Sequence, residues 1–122
     1  ARGLDRRPYP WGDSPPSCDL AVMGGEQCAR SATAPVGSRP AGASPYGALD
    51  MAGNVAEWMS NHHRETLTPY LRGGSWVSRN PDKLKASWRS KGPRGLKSSY
   101  VGFRCAELAP KAPTGPRSAA VD

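Results

Sequence analysis

Apolar and polar residues alternate most clearly in the middle of the chain. After a Pro45-Tyr-Gly turn, Val55 and Glu57 fall on one side and Ala56 and Trp58 on the other, the period-2 pattern of a short strand entered from a turn. A second extended segment is expected to begin at Leu71-Arg-Gly-Gly-Ser-Trp76, with Trp76 anchoring the core and Arg72 meeting a carboxylate or carbonyls. Residues 85–89 read as a further strand. Residues 99–106 read as the last, with Val101, Phe103 and Cys105 on one face. Pro35-Val-Gly-Ser38 is a short extended piece. Beyond Leu108 the apolar period disappears, which sets residues 109–122 apart as a Pro/Ala-rich tail.

The same central stretch carries candidate chemistry. Glycine lets nearby carbonyls turn toward a common point, so Asp50, Glu57 and the backbone around Gly53 and Val55 could surround a hard cation such as calcium. The competing arrangement is a metal-free turn in which Asp50 caps backbone amides.

Composition narrows the fold. Among 122 residues, 14 are Gly and 13 Pro, only 37% are hydrophobic, and there is one Phe. Such a chain is rich in turns and hard pressed to bury a large core alone. No uninterrupted apolar run is long enough to cross a membrane, and no signal peptide is evident.

The net charge of +7 is concentrated between residues 79 and 104, where eight basic side chains face one acid, Asp82. Arg79, Lys83, Lys85, Arg89, Lys91 and Arg94 form a candidate contact surface for a protein or glycan ligand. With only Trp88 and Tyr100 interleaved, nucleic acid is not favoured over a solvated loop surface. Cys18 and Cys28 bracket a Gly-containing loop, and without further thiols or a histidine cluster beside them a disulfide fits better than a metal pair. It would contribute about 2–3 kcal/mol in the chain-entropy model and favours an oxidising, extracytoplasmic location. Cys105 is left odd. His62 and His63 are adjacent and point apart on any regular element, which makes them poor joint ligands.

Tyr46-Gly-Ala-Leu-Asp-Met-Ala-Gly-Asn-Val-Ala-Glu-Trp58 closely resembles the central signature of the formylglycine-generating enzyme family, the sulfatase-modifying-factor domain. Four further motifs follow the family's order: Tyr9-Pro-Trp-Gly-Asp13, Ala34-Pro-Val-Gly-Ser38, Leu71-Arg-Gly-Gly-Ser-Trp76 and Val101-Gly-Phe-Arg-Cys105. The resemblance implies an α+β, loop-rich, C-type-lectin-like fold with few short antiparallel strands. Residues 1–108 are expected to be the C-terminal part of one domain, completed by its N-terminal half as a separate piece or segment.

In the copper-dependent oxidases of the family, two catalytic cysteines follow the Gly-Gly-Ser-aromatic motif; the matching positions here hold Ser78 and Lys83, neither a soft thiolate. The family's sulfoxide synthases bind iron through a histidine triad outside this half of the domain. The resemblance therefore implies a non-catalytic, extracytoplasmic binding or structural module, stabilised by calcium and holding neither copper nor iron. Two alternatives stand beside it: a family oxidoreductase with its active residues in the N-terminal half, and a variable ligand-display protein on the same fold.

Overall fold

A computed structural model describes residues 3–28 and 32–107. Its regular structure is sparse: strands β1 (Ala56–His62), β2 (Pro69–Arg72), β3 (Ser90–Lys91) and β4 (Val101–Gly102), and three single 3-10 turns at Glu26–Cys28, Pro40–Gly42 and Pro81–Leu84. The strands form one sheet in the order β3-β2-β1-β4. β1 and β2 run antiparallel with Glu57 opposite Arg72 and Trp58 opposite Leu71, and an irregularity separates this pairing from His62 opposite Pro69. β2 and β3 are also antiparallel. β4, in contrast, lies parallel to β1, with Ala56 opposite Val101 and Glu57 opposite Gly102, so the sheet is mixed rather than purely antiparallel.

Three expected strands are shorter or displaced. The segment expected to begin at Leu71 instead ends at Arg72, where Gly73 and Gly74 turn the chain at positive φ, and Trp76 is half-buried outside the core, its indole N–H donating to the Ser99 carbonyl (3.2 Å). Residues 85–89 form a turn, closed by the Trp88 N–H donating to the Lys85 carbonyl (2.9 Å), and the strand begins only at Ser90. The cause lies just upstream: the Asn80 side chain accepts from the Asp82 N–H (2.8 Å) and Pro81 occupies the first helical position, a start signal that winds the backbone there. The final strand pairs only at Val101–Gly102, after which Phe103 stands 75% exposed. The Pro35-Val-Gly-Ser38 piece is likewise a turn, closed by the Ser38 N–H on the Pro35 carbonyl (3.2 Å). The tail at 109–122 lies outside the described residues.

A small core sits beside the sheet, built from Tyr9, Met23, Ala52 and Leu84, with Trp11 and Cys28 packed against it. Pro10 fixes the backbone between the two aromatic rings, which stack at 5.3 Å between centroids. Four methyl- to ring-sized side chains are a modest apolar store, and hydrogen bonds between loops do much of the remaining positioning. Gly53 and Asn54 are the centre of that network. Both have positive φ, 84° and 60°. The Gly53 N–H donates to the Gly73 carbonyl (2.8 Å), the Asn54 N–H to Val22 (2.7 Å), and the Trp76 N–H to the Asn54 carbonyl (2.9 Å). A Cβ on Gly53 would stand 2.6 Å from the Val22 carbonyl oxygen, so only glycine fits.

Candidate functional site

β1 delivers Glu57 to a cleft of about 490 Å³, whose floor it shares with Asp50, Asn54 and Arg104 and whose rim carries Val36 and Phe103. Arg104 leaves the end of β4 and folds back across 47 residues of sequence to meet Glu57. Its Nε donates to both carboxylate oxygens (2.8 and 2.7 Å) and its Nη2 pairs with Oε1. The same guanidinium donates to the carbonyls of Leu49 and Asp50, each at 3.0 Å. Hydrogen bonds to Glu57 hold the Arg104 guanidinium above its ordinary range, so it is charged throughout the accessible pH scale. The Glu57 side chain is 18% exposed and that of Arg104 40%, which places the pair between a surface bridge and a buried one.

This arrangement redistributes the four residues expected to enclose calcium. Glu57 is held by Arg104. Asp50, in the left-handed region at φ 53°, accepts the Gly37 N–H on its carboxylate (2.6 Å), the amide-capping alternative weighed from the sequence. Gly53 is locked to Gly73 as described, and Val55 lines the cleft wall. Among the described residues, no group of three or more His, Cys, Asp or Glu side chains gathers as a metal site.

The remaining candidates also have definite places. Cys18 and Cys28 form a disulfide, with Cα atoms 5.3 Å apart. Cys105 is exposed and unpaired among the described residues. Ser78 is buried, and its hydroxyl accepts the Ser75 N–H (3.0 Å), a turn-closing role at one family cysteine position; Lys83, at the other, is exposed. His62 ends β1 in solvent, and His63 packs edge-on to Tyr70 at 6.3 Å. Besides Lys83, the basic residues have different surroundings: Lys85 pairs with Asp82 (2.6 Å), Arg89 lies over the Tyr70 ring (5.1 Å), Lys91 is exposed on β3 opposite Tyr70, Arg94 reaches the Leu67 carbonyl (3.5 Å), and Arg79 borders the disulfide loop. Arg72 meets carbonyls, as expected, through Ala86 (3.1 Å) and Trp88 (3.3 Å).

Sequence reasoning missed two residues. Asn54 presents its amide to residue 34 as a strand would, its Oδ1 accepting the Ala34 N–H (3.1 Å) and its Nδ2 donating to the Ala34 carbonyl (3.2 Å). Arg104 is the other. Its signal was present, since a half-buried carboxylate at Glu57 requires a cation and the closing Val101-Gly-Phe-Arg-Cys105 motif contains one.

A short mixed sheet in a shell of hydrogen-bonded loops, with the signature strand at its centre, defines a lectin-like, loop-built domain. The chain belongs to the sulfatase-modifying factor enzyme 1-like domain family, whose model matches residues 1–109. It is 41% identical over 123 residues to a hercynine oxygenase of Mycolicibacterium smegmatis, covering 83% of this chain and 28% of that protein. It is 37% identical over 123 residues to the hercynine oxygenase of Mycolicibacterium thermoresistibile, covering 83% and 27%. Among solved structures, PvdO from Pseudomonas aeruginosa superimposes with a TM-score of 0.63 at 22% identity, covering 79% of this chain and 42% of that one, and shows the shared fold. The chain thus spans under a third of the length of these curated relatives.

These relatives correct two expectations. A non-catalytic, calcium-stabilised module is not what their names describe: they are oxygenases. The expectation of no iron falls with it. Serine and lysine at positions 78 and 83 speak only to thiolate-bound copper, whereas non-haem iron oxygenases use imidazole and carboxylate ligands. Among the described residues, no cluster of His, Cys, Asp or Glu side chains fits an iron centre.

Proposed function

We propose that this chain is the C-terminal part of an oxygen-using oxidoreductase of its family, acting on hercynine or a closely related betaine. The observation that carries this reading is the 41% identity over 123 residues to a hercynine oxygenase. On this reading, another segment of the same protein supplies the metal ligands, and the described residues supply a rigid wall. Arg104, by holding Glu57 and the carbonyls of residues 49 and 50 together, fixes the central loop against β1 and β4. The Cys18–Cys28 disulfide supports an oxidising compartment for the protein.

The test is oxygen consumption by the full gene product that carries this chain, loaded with ferrous iron and supplied with hercynine, with and without cysteine as a thiol. Uptake that depends on hercynine and stops on iron chelation is expected. An iron-loaded, folded product whose oxygen uptake is indifferent to hercynine overturns the reading, as does a folded product that retains no iron.

A further inference from the structure

A second cleft, of about 460 Å³, opens over the sheet face that carries Glu57, Met59 and Arg72, with Met51, Gly73 and Ala86 on its other sides. Glu57 and Arg72 stand directly opposite each other across the β1–β2 pair, where a cross-strand ion pair is the ordinary outcome. Here Arg104 already holds the Glu57 carboxylate, through bonds to both of its oxygens. Arg72 is therefore left without a carboxylate partner among the described residues.

Arg72 is nevertheless oriented. Its Nη1 donates to the carbonyls of Ala86 and Trp88, which fixes the plane of the guanidinium. The opposite edge, formed by Nε and Nη2, keeps two parallel N–H donors, the fork that matches a carboxylate in two simultaneous bonds. Beside it, Met51 and Met59 offer flexible thioethers whose soft sulfurs pack favourably against aromatic rings. The cleft falls at the lower end of the ~300–1,000 Å³ range of small-molecule sites.

We propose that this cleft receives a small aromatic carboxylate, its carboxylate held on the free edge of Arg72 and its ring lying against Met51 and Met59. The site needs neither a metal nor turnover, so it stands or falls separately from the oxygenase reading.

The experiment is a titration of the full gene product with benzoate, and in parallel with uncharged benzamide, followed by calorimetry and by the methionine methyl resonances. Saturable benzoate binding is expected, with benzamide at least about tenfold weaker because the charge-assisted bonds are lost. Binding should weaken as salt rises. Arg72→Ala should abolish it, but that variant also releases the Ala86 and Trp88 carbonyls. Met59→Glu is the second variant: at a 36% exposed strand position it leaves the fold intact and sets a competing carboxylate beside Arg72. It should weaken benzoate at least about tenfold. Equal affinity for benzoate and benzamide, no saturable binding of either, or a folded Met59→Glu protein that binds benzoate within about twofold of the parent each overturns the proposal.

Discussion

Replacing Arg104 with methionine tests how much of this loop-built domain depends on one side chain. The substitution keeps the aliphatic stem and removes the guanidinium, so packing is largely preserved. Three attachments are lost together: the forked pair with Glu57 and the bonds to the carbonyls of Leu49 and Asp50. An exposed ion pair contributes about 0–1 kcal/mol. Breaking a fully buried one costs about 3–5 kcal/mol, because the remaining charge is stranded. With Glu57 18% exposed and Arg104 40%, the geometry lies between those limits. A loss of about 2 kcal/mol follows. Urea unfolding of the full gene product, combined with Glu57→Gln in a double-mutant cycle, separates the pair from its neighbours. A coupling energy of about 1–2 kcal/mol is expected. An Arg104→Met protein within about 0.5 kcal/mol of the parent, or single losses that simply add, would refute the reasoning.

Other substitutions test the surrounding network. Gly53→Ala should cost more than about 2 kcal/mol, since its Cβ would meet the Val22 carbonyl at 2.6 Å, whereas Gly47→Ala, with φ 75° and open space around it, should cost only about 1 kcal/mol; thermal unfolding of both variants makes the comparison. Asn54→Ala strands a buried N–H and C=O on residue 34 and should lower stability by about 2–4 kcal/mol in denaturant titration, with exchange of the Ala34 amide accelerated. Cys18→Ser with Cys28→Ser should cost about 2–3 kcal/mol, and addition of reductant to the parent should reproduce most of that loss. Hydrogen bonds from Arg7 hold the Asp5 carboxyl below its ordinary value, so the pair favours folding above that value and loses its effect as pH falls through the lowered one. The Asp5→Asn difference in Tm should therefore vanish as pH falls through the lowered value; because Asp5 is solvent-exposed and Arg7 only half-buried, it should stay small even at neutral pH.

Local signals in the sequence were read well where they governed local structure. The central signature does form a turn running into a strand, because glycine at 53 and alternation from residue 55 act over a few bonds. The spacing of Cys18 and Cys28 likewise reflects a short loop closing on itself. The misreadings involve competition at a distance. Residues 85–89 have a strand-like composition, yet Asn80 and Pro81 wind the preceding backbone and delay the strand. The Glu57 carboxylate called for a cation and the closing motif held one, but the pairing itself was hidden, since only the topology brings residues 47 apart together. The parallel placement of β4 is hidden for the same reason. The functional misreading had a different source. Serine and lysine at positions 78 and 83 were given more weight than the oxidoreductase alternative, whereas the relatives that the chain matches are named oxygenases.

The turn at residues 44–48 closes on itself. The Ser44 N–H donates to the Ala48 carbonyl (2.9 Å), the Gly47 N–H to the Ser44 carbonyl (2.9 Å), and the Ser44 hydroxyl accepts from the Ala48 N–H (3.1 Å). Its tip stands clear, with Tyr46 70% exposed and nothing within 4 Å of a Cβ built on Gly47. The two bonds between Ser44 and Ala48 staple the base of the turn independently of whatever the tip contains, and lengthening a loop with fixed ends costs free energy that grows only logarithmically. A reporter peptide or an epitope spliced between Tyr46 and Gly47 would ride on the domain as a passenger, close to the Arg104 cleft and without a bond to the sheet.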